Sequence, residues 1–341
     1  MTTVEFRTEL KHPKGGYLFC GEEDYLKRRY LESLRKAVVA EDDIFNHIRL
    51  NGDTFTLDAL ASAIAMLPVM AETKLIEVEG VSLAAMSDTE IDELCGVFSL
   101  LKNSPETVLV FYTEAGDLEP GTPRQPDKRY LTLSEAIPIV LFPRETPARL
   151  AAWTAKHFAA EGIAAPPMAV NALLSRCGCD MYTLASEIGK LSAYVKSKAR
   201  EVLTEEDVAL VASESKEIAA FDFANALIDF RPDVAFSILA ERKRQKEKPE
   251  ILLSSITRVV CDLYMIRTLS DSGMTVGEIA KKLKKHDYAV GLYLKSASKS
   301  TVARLNALMD ACFEADLRIK STSVESYAIL DRLAAEASAR P

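Results

Sequence analysis

At 341 residues, 48% hydrophobic and 27% charged, the chain is long enough for two or three domains and has the balance of an ordinary globular protein. No stretch approaches the ~18 uncharged apolar residues that a membrane span needs, and the opening MTTVEFRTELKHPKGG lacks the apolar run of a secretory signal, so a cytoplasmic protein that makes no membrane contact is expected. A net charge of −8 opposes a surface that grips phosphates throughout; any DNA contact must be local or shared with partners.

Residues 16–142 alternate strand and helix signals. The apolar run Tyr17-Leu18-Phe19-Cys20 is followed by Gly21 and a charged helical stretch at 22–39, a strand feeding a helix. Further strands are predicted at 47–50, 74–78, 107–112 and 138–141, with helices at 57–66 and 88–101. This alternation predicts a mostly parallel sheet covered by helices. The Gly-, Pro- and charge-rich stretch 116–130 reads as a surface loop. After Phe142-Pro143 the strand signals stop. Helices are predicted at 148–161, 168–177 and 181–195, the last with Leu184, Ile188, Leu191 and Val195 on one face. Another begins behind Thr204, a predicted N-cap with acids in the first turn. A second helical region runs from about 216 to the end. Its stripe Leu252, Ile256, Val259, Leu263 and Ile266, and a later face with Leu305, Leu308, Cys312 and Ile319, predict a bundle of about five helices.

Signals of catalysis are missing. The first strand-to-helix loop holds one glycine and three acids (Gly21, Glu22, Glu23, Asp24), where a G-x-x-x-x-G-K-[ST] loop would surround phosphates with backbone N–H groups and a lysine. Carboxylates there repel phosphate and suit a helix N-terminus instead. The four histidines are far apart and form no H-E-x-x-H pattern, and neither a G-x-S-x-G elbow nor a G-x-G-x-x-G fingerprint occurs. The six cysteines read as buried thiols, and Cys177-Gly178-Cys179 lacks the second pair of a zinc site. No cofactor, metal or catalytic residue is assigned.

Several segments, taken in order, resemble the clamp-loader delta family of bacterial DNA polymerase III: YLFCGEEDYL at 17–26, LPVMAETKLIEV at 67–78, DKR at 127–129, CDMYTLASEIGKL at 179–191 and LTEEDV at 203–208. The resemblance covers nearly the whole chain. It implies an α/β plus all-α protein: an AAA+-like domain at 1–143 without a nucleotide-binding loop, a three-helix lid at 144–213 and a helical collar at 214–341. It also implies partners: the ring-shaped sliding clamp (beta), the ATPase loader subunits gamma/tau, delta-prime, and primed DNA within the assembled complex. In this family delta opens the clamp with a hydrophobic tip while its partners hydrolyse ATP.

On this sequence the tip maps to Leu67, Pro68, Val69 and Met70. Many family members place leucine or phenylalanine where Val69 and Met70 stand. Because valine fills less volume, Met70 is the expected main anchor, against the plainer reading of a core residue that ends a helix. Two basic stretches, RKRQKEK at 242–248 and KKLKKH at 281–286, make Arg242, Lys243, Arg244, Lys281 and Lys282 candidates to face DNA, the plainer reading being a solvated helix face. The triplet Ser175-Arg176-Cys177 looks like an arginine-finger motif but falls at a helix end outside the α/β domain, where a surface arginine beside the helix C-terminus is the simpler reading. Two other functions stay open: a nucleotide-processing enzyme whose site lies at the strand ends near Gly21, and a scaffold with helical interaction domains.

Overall fold

The structure, a computed structural model, describes residues 1–40, 43–122, 125–283, 285 and 287–338. It divides into two compact units, Met1–Glu145 and Thr146–Pro341.

The first unit is built on a five-stranded, all-parallel sheet. In chain order its elements are α1 (Thr3–Glu9), β1 (Gly15–Cys20), α2 (Asp24–Val38), β2 (His47–Asn51), α3 (Leu57–Ala65), β3 (Lys74–Glu79), α4 (Asp88–Ser99), β4 (Thr107–Tyr112), a two-stranded hairpin β5 (Gly121–Thr122) and β6 (Gln125–Pro126), α5 (Lys128–Ala136) and β7 (Ile139–Leu141). The sheet order is β2-β3-β4-β1-β7. The central strands β1 and β4, parallel and covered on both faces, are buried almost throughout and read as runs rather than as alternating patterns. Period-2 geometry then divides each run between two cores. Tyr17 and Phe19 of β1, with Val108 and Val110 of β4, pack with Phe6 of α1 and Leu31 and Leu34 of α2. Leu18 and Cys20, with Leu109 and Phe111, pack instead with Leu60 and Ile64 of α3, Leu94 and Phe98 of α4 and Leu133 of α5.

The predicted strands all form, and 107–112 matches β4 at both ends. The described residues of 116–130 hold more structure than a loop. They carry the β5–β6 pair, bury Leu118 to 3% exposure and start α5, whose N-cap Asp127 accepts the backbone N–H of Tyr130 at 2.8 Å. In the resembling motif DKR, Arg129 is a local strap: its guanidinium donates to the carbonyls of Leu83, Ala84 and Met86 at 2.7, 3.1 and 3.0 Å.

Among its described residues the second unit's regular structure is helical apart from one bridge between Ala164 and Val202. Helices α6 (Pro147–Ala160), α7 (Pro167–Cys177), α8 (Met181–Ser197) and α9 (Glu205–Val211) pack on one another. The predicted face of α8 is buried, and Thr204 caps α9 in a reciprocal capping box with Asp207. Arg176 ends α7 as expected but is half-buried, and its Nε donates to the Ala212 carbonyl at the end of α9 at 2.7 Å. The remaining helices are α10 (Lys216–Ile228), α11 (Pro232–Arg244), α12 (Pro249–Asp271), α13 (Val276–Leu283), α14 (Asp287–Ala297), α15 (Val302–Ser321) and α16 (Ser326–Ser338), which share one core around α12. All five residues of its predicted stripe are buried. Among the described residues seven helices stand where about five were expected.

No described helix is long and apolar enough to cross a membrane. All six cysteines are free, and burial pushes the Cys20 and Cys312 thiols up to about 12 and Cys177 up to about 11, far from nucleophilic thiolates at neutral pH. Among the described residues no cluster of His, Cys, Asp and Glu could hold a metal.

Candidate functional site

In a parallel sheet all strands begin at one edge and end at the other, so the loops before β2 and β3 share the amino edge. Helix α3 delivers the chain there. Thr56 caps its start by accepting the N–H of Ala59 at 3.0 Å, and Leu60, Ala63 and Ile64 hold its inner face to the sheet. It stops at Met66, whose backbone is extended, as the approach of Pro68 requires. The end has no glycine and no basic residue in its last turn; the free carbonyls are satisfied from across the loop. Lys74, the first residue of β3 and 1% exposed, donates its ammonium to the carbonyls of Ala63 at 2.6 Å and Ile64 at 3.0 Å and to that of Met66. Three N–H donors meet three carbonyls, so the charge sits among oriented dipoles at the negative end of a helix. Burial nevertheless holds the Lys74 pKa below the ordinary lysine range.

Between that knot and the helix end the four predicted tip residues project. Leu67 is 74% exposed, Val69 49% and Met70 fully so, while Pro68 is half-buried. Met70 is therefore not a core residue ending a helix. Its φ of 54° lies in the left-handed region, which costs a side-chain-bearing residue roughly 1–2 kcal/mol. Strain and full exposure of a large apolar side chain coincide at one residue, which is the pattern of a loop shaped for something other than stability.

At the carboxyl edge, where ligands of open α/β sheets usually bind, the space around the end of β1 is filled. Gly21 (φ 109°) brings the loop after β1 so close to β7 that a Cβ there would lie 2.3 Å from the Phe142 carbonyl oxygen, and Glu23 spends its backbone N–H on that oxygen at 3.1 Å. Next to it Lys27 is fully buried. Its ammonium reaches the Thr113 carbonyl at 2.8 Å and the Asp24 carboxylate at 2.6 Å, and lies 4.9 Å from the centre of the Tyr112 ring. Thr113 in turn donates its hydroxyl to the Phe19 carbonyl at 3.0 Å, closing the crevice between β1 and β4. Of the loop's amides, that of Asp24 is turned back onto the Glu22 carbonyl at 3.2 Å.

Comparison with known proteins bears on what kind of chain presents these edges. Residues 217–336 match the profile of the DNA polymerase III delta subunit, C-terminal domain. This part of the chain is similar to that domain. A curated relative, DNA polymerase III subunit delta of Bacillus subtilis (strain 168), is 21% identical over 149 residues; the match takes in 44% of this chain and 42% of that one, so it spans less than half the relative's length. The solved Bacillus subtilis DNA clamp loader delta protein (YqeN) has the same fold, with a TM-score of 0.79 at 19% identity over 99% of both chains. In fold the chain is like that protein, with a parallel α/β domain followed by helical domains.

Within the delta-type helical domain the basic candidates separate. Arg242 is a correction: it is 4% exposed, and its guanidinium pairs with Glu214 and donates to Gln245 at 3.2 Å, so it is part of the interior. Its place on α11, with Leu239 one turn before it, puts it on the buried face. Lys243 lies 3.5 Å from Glu325 and over the Tyr327 ring, and Arg244 is held by Glu241 at 2.7 Å. Lys281 and Lys282 are exposed at the end of α13. Lys285 of the same run is an internal partner of Asp262 at 2.8 Å, and Lys284 and His286 lie outside the described residues. The five candidates do not form one basic surface. What sequence reasoning missed at the amino edge is Lys74, which looks like any polar residue opening a strand, and Asn46, whose amide binds Val69 on both sides at 2.7 and 2.9 Å.

Proposed function

We propose that this chain is the delta subunit of a DNA polymerase III clamp loader, and that its α/β domain binds the ring-shaped sliding clamp and opens it for loading onto primed DNA. ATP is hydrolysed by the gamma/tau subunits, which with delta-prime complete the loader. The observation that carries the reading is the tip at the amino edge: a fully exposed methionine beside a half-exposed valine, presented in a strained backbone that a buried lysine and asparagine hold in place. Apolar anchors of this kind supply most of an interface's free energy when they enter a pocket. Residues 144–213 act as the lid and 214–341 as the collar that joins the other subunits, while Lys281 and Lys282 are the best placed of the basic residues to meet DNA in the complex.

In this mechanism the chain contributes shape rather than chemistry. The filled crevice beside Lys27 supports a subunit that holds no nucleotide itself. Clamp opening draws on binding energy: a tip that fits the clamp better when one interface is sprung shifts the ring toward the open form by its differential affinity for the two states.

The test is a nucleotide-free titration of the purified chain against the sliding clamp of the same organism by surface plasmon resonance. Wild type binds, and the chain carrying Val69→Ala with Met70→Ala loses at least tenfold in affinity with unchanged circular dichroism. A wild-type chain that fails to bind, or a double variant that binds as well as wild type, overturns the reading. Tight ATP binding by the isolated chain would speak for the enzyme instead.

A further inference from the structure

A second apolar group stands at the amino edge beside the tip. Ile44 and Phe45, in the turn that leads into β2, are 79% and 70% exposed. An aliphatic and an aromatic side chain next to each other in water are unfavourable for the free chain, and nothing in the turn requires them: its geometry is set by polar groups. The Asp43 carboxylate accepts the backbone N–H groups of Phe45 at 3.1 Å and Asn46 at 2.9 Å, and the Asn46 side-chain amide at 2.7 Å. Hydrogen bonding to the charged form accordingly holds the Asp43 carboxyl below its ordinary range.

Asn46 joins this turn to the tip. It is 2% exposed, and its amide behaves like one peptide unit of a neighbouring strand: Oδ1 accepts the Val69 N–H at 2.7 Å and Nδ2 donates to the Val69 carbonyl at 2.9 Å. Its own carbonyl accepts the Leu75 N–H at 2.8 Å, which anchors the clasp to β3. Phe45 therefore sits one residue from a group that grips the centre of the tip on both sides, and the two exposed apolar groups are held in fixed register at one edge of the sheet.

We propose that the clamp-docking surface consists of both loops, with Ile44 and Phe45 seating on the same clamp as Val69 and Met70, and with Asn46 as the positioning residue that sets their register. The proposal rests on the reading of the tip as clamp-binding and deepens it. Its occupant is the clamp because the turn continues the tip's surface through the Asn46 clasp and shares its apolar character. The arrangement also compensates for the small Val69: a patch spread over two loops regains contact area that one valine in place of a larger residue gives up.

The experiment uses the full chain and the sliding clamp of the same organism without nucleotide, titrated by isothermal calorimetry. Five proteins are compared: wild type, Ile44→Ser with Phe45→Ser, the single Phe45→Lys, Val69→Ala with Met70→Ala, and the control Val4→Ser, an exposed apolar residue on α1. Both turn variants lose at least tenfold in affinity at unchanged melting temperature, and the control does not. The role of Asn46 is read from a double-mutant cycle: Phe45→Ala and Met70→Ala are coupled in their effect on clamp affinity, and the coupling disappears in an Asn46→Ala background. Turn variants that bind as wild type while the tip variant fails overturn the two-loop surface and leave the tip reading standing. A tip variant that binds as wild type overturns the tip reading, and this proposal with it. Self-association of the chain alone, abolished by Phe45→Lys while clamp binding is untouched, would make a second copy the occupant and overturn the clamp.

Discussion

The two edges of the parallel sheet use the same residue type, a buried lysine, to opposite ends. At the carboxyl edge Lys27 fills the crevice where an α/β protein would hold a ligand, tied to Thr113 and Asp24. At the amino edge Lys74 gathers the last carbonyls of α3 and so fixes the start of an exposed apolar loop. One lysine closes a place where chemistry could occur; the other holds open a place where contact could. Burial of an ammonium is costly unless its donors are satisfied; Lys74 is satisfied by backbone carbonyls and Lys27 by one carbonyl and one carboxylate, groups that a fold supplies only once its loops are in position. The difference teaches that the absence of a nucleotide motif and the presence of a tip are built by the same means.

That comparison can be broken most directly at Lys74. Lys74→Met keeps the length of the side chain but leaves the carbonyls of Ala63, Ile64 and Met66 without their donor, and at about 1–2 kcal/mol for each unsatisfied group the loss is roughly 3–6 kcal/mol, read by urea denaturation. A loss below about 1 kcal/mol would mean that solvent reaches the helix end and that the tip is not preorganised by this residue.

Between the two edges, Glu77 of β3 gives a pH test. It is 2% exposed and receives Arg35 at 2.9 Å through both carboxylate oxygens, with His47 2.9 Å from one of them. Burial by itself would raise its pKa, but the hydrogen bonds and charges of His47 and Arg35 outweigh that and hold the carboxyl at about 2. A carboxylate depressed on folding stabilises the folded state above its unfolded pKa of about 4.5 and loses that contribution as pH falls toward 2. Over that window roughly 3 kcal/mol should disappear in wild type, and Glu77→Gln should flatten the acid limb of the stability curve.

Lys27→Met sharpens the carboxyl-edge half. It removes a donor from the Thr113 carbonyl and strands a partly exposed Asp24, a loss of about 1–3 kcal/mol; clamp affinity should be unchanged, since the tip lies at the other edge. A clamp-affinity loss larger than the stability loss would show the two edges to be coupled. The smallest effect is expected at Met70→Gly. Relief of the left-handed strain and the extra backbone entropy of glycine nearly cancel, so stability should move by no more than about 1 kcal/mol, while clamp binding falls as it does for the alanine double variant.

How legible each part was follows from the range of the interaction that made it. The central strands declared themselves because runs such as 108–112 are apolar at every position, as a parallel strand covered on both faces favours. Helix α5 went unseen because its first turn is polar and follows a Gly- and Pro-rich stretch, so that only the Asp127 cap, local but short, marked its start. That Leu67, Val69 and Met70 are exposed was not visible from their letters, which are those of core residues. Arg242 read as part of a basic run, because a sequence shows charge but not that Glu214 waits to bury it.

The sequence by itself determined the composition of the cores, the alternation that makes a parallel sheet, the helical remainder and the apolar character of residues 67–70, because each depends on residues near one another in the chain. Only the tertiary structure decided that Lys27 would plug one edge, that Lys74 would knot the other, and that Asn46 would bind a turn at 43–46 to a loop beginning 21 residues later, at Leu67. Those contacts join groups that are distant in sequence and strong only when desolvated, and a polar residue's letter is the same whether its partner is water or a buried carbonyl.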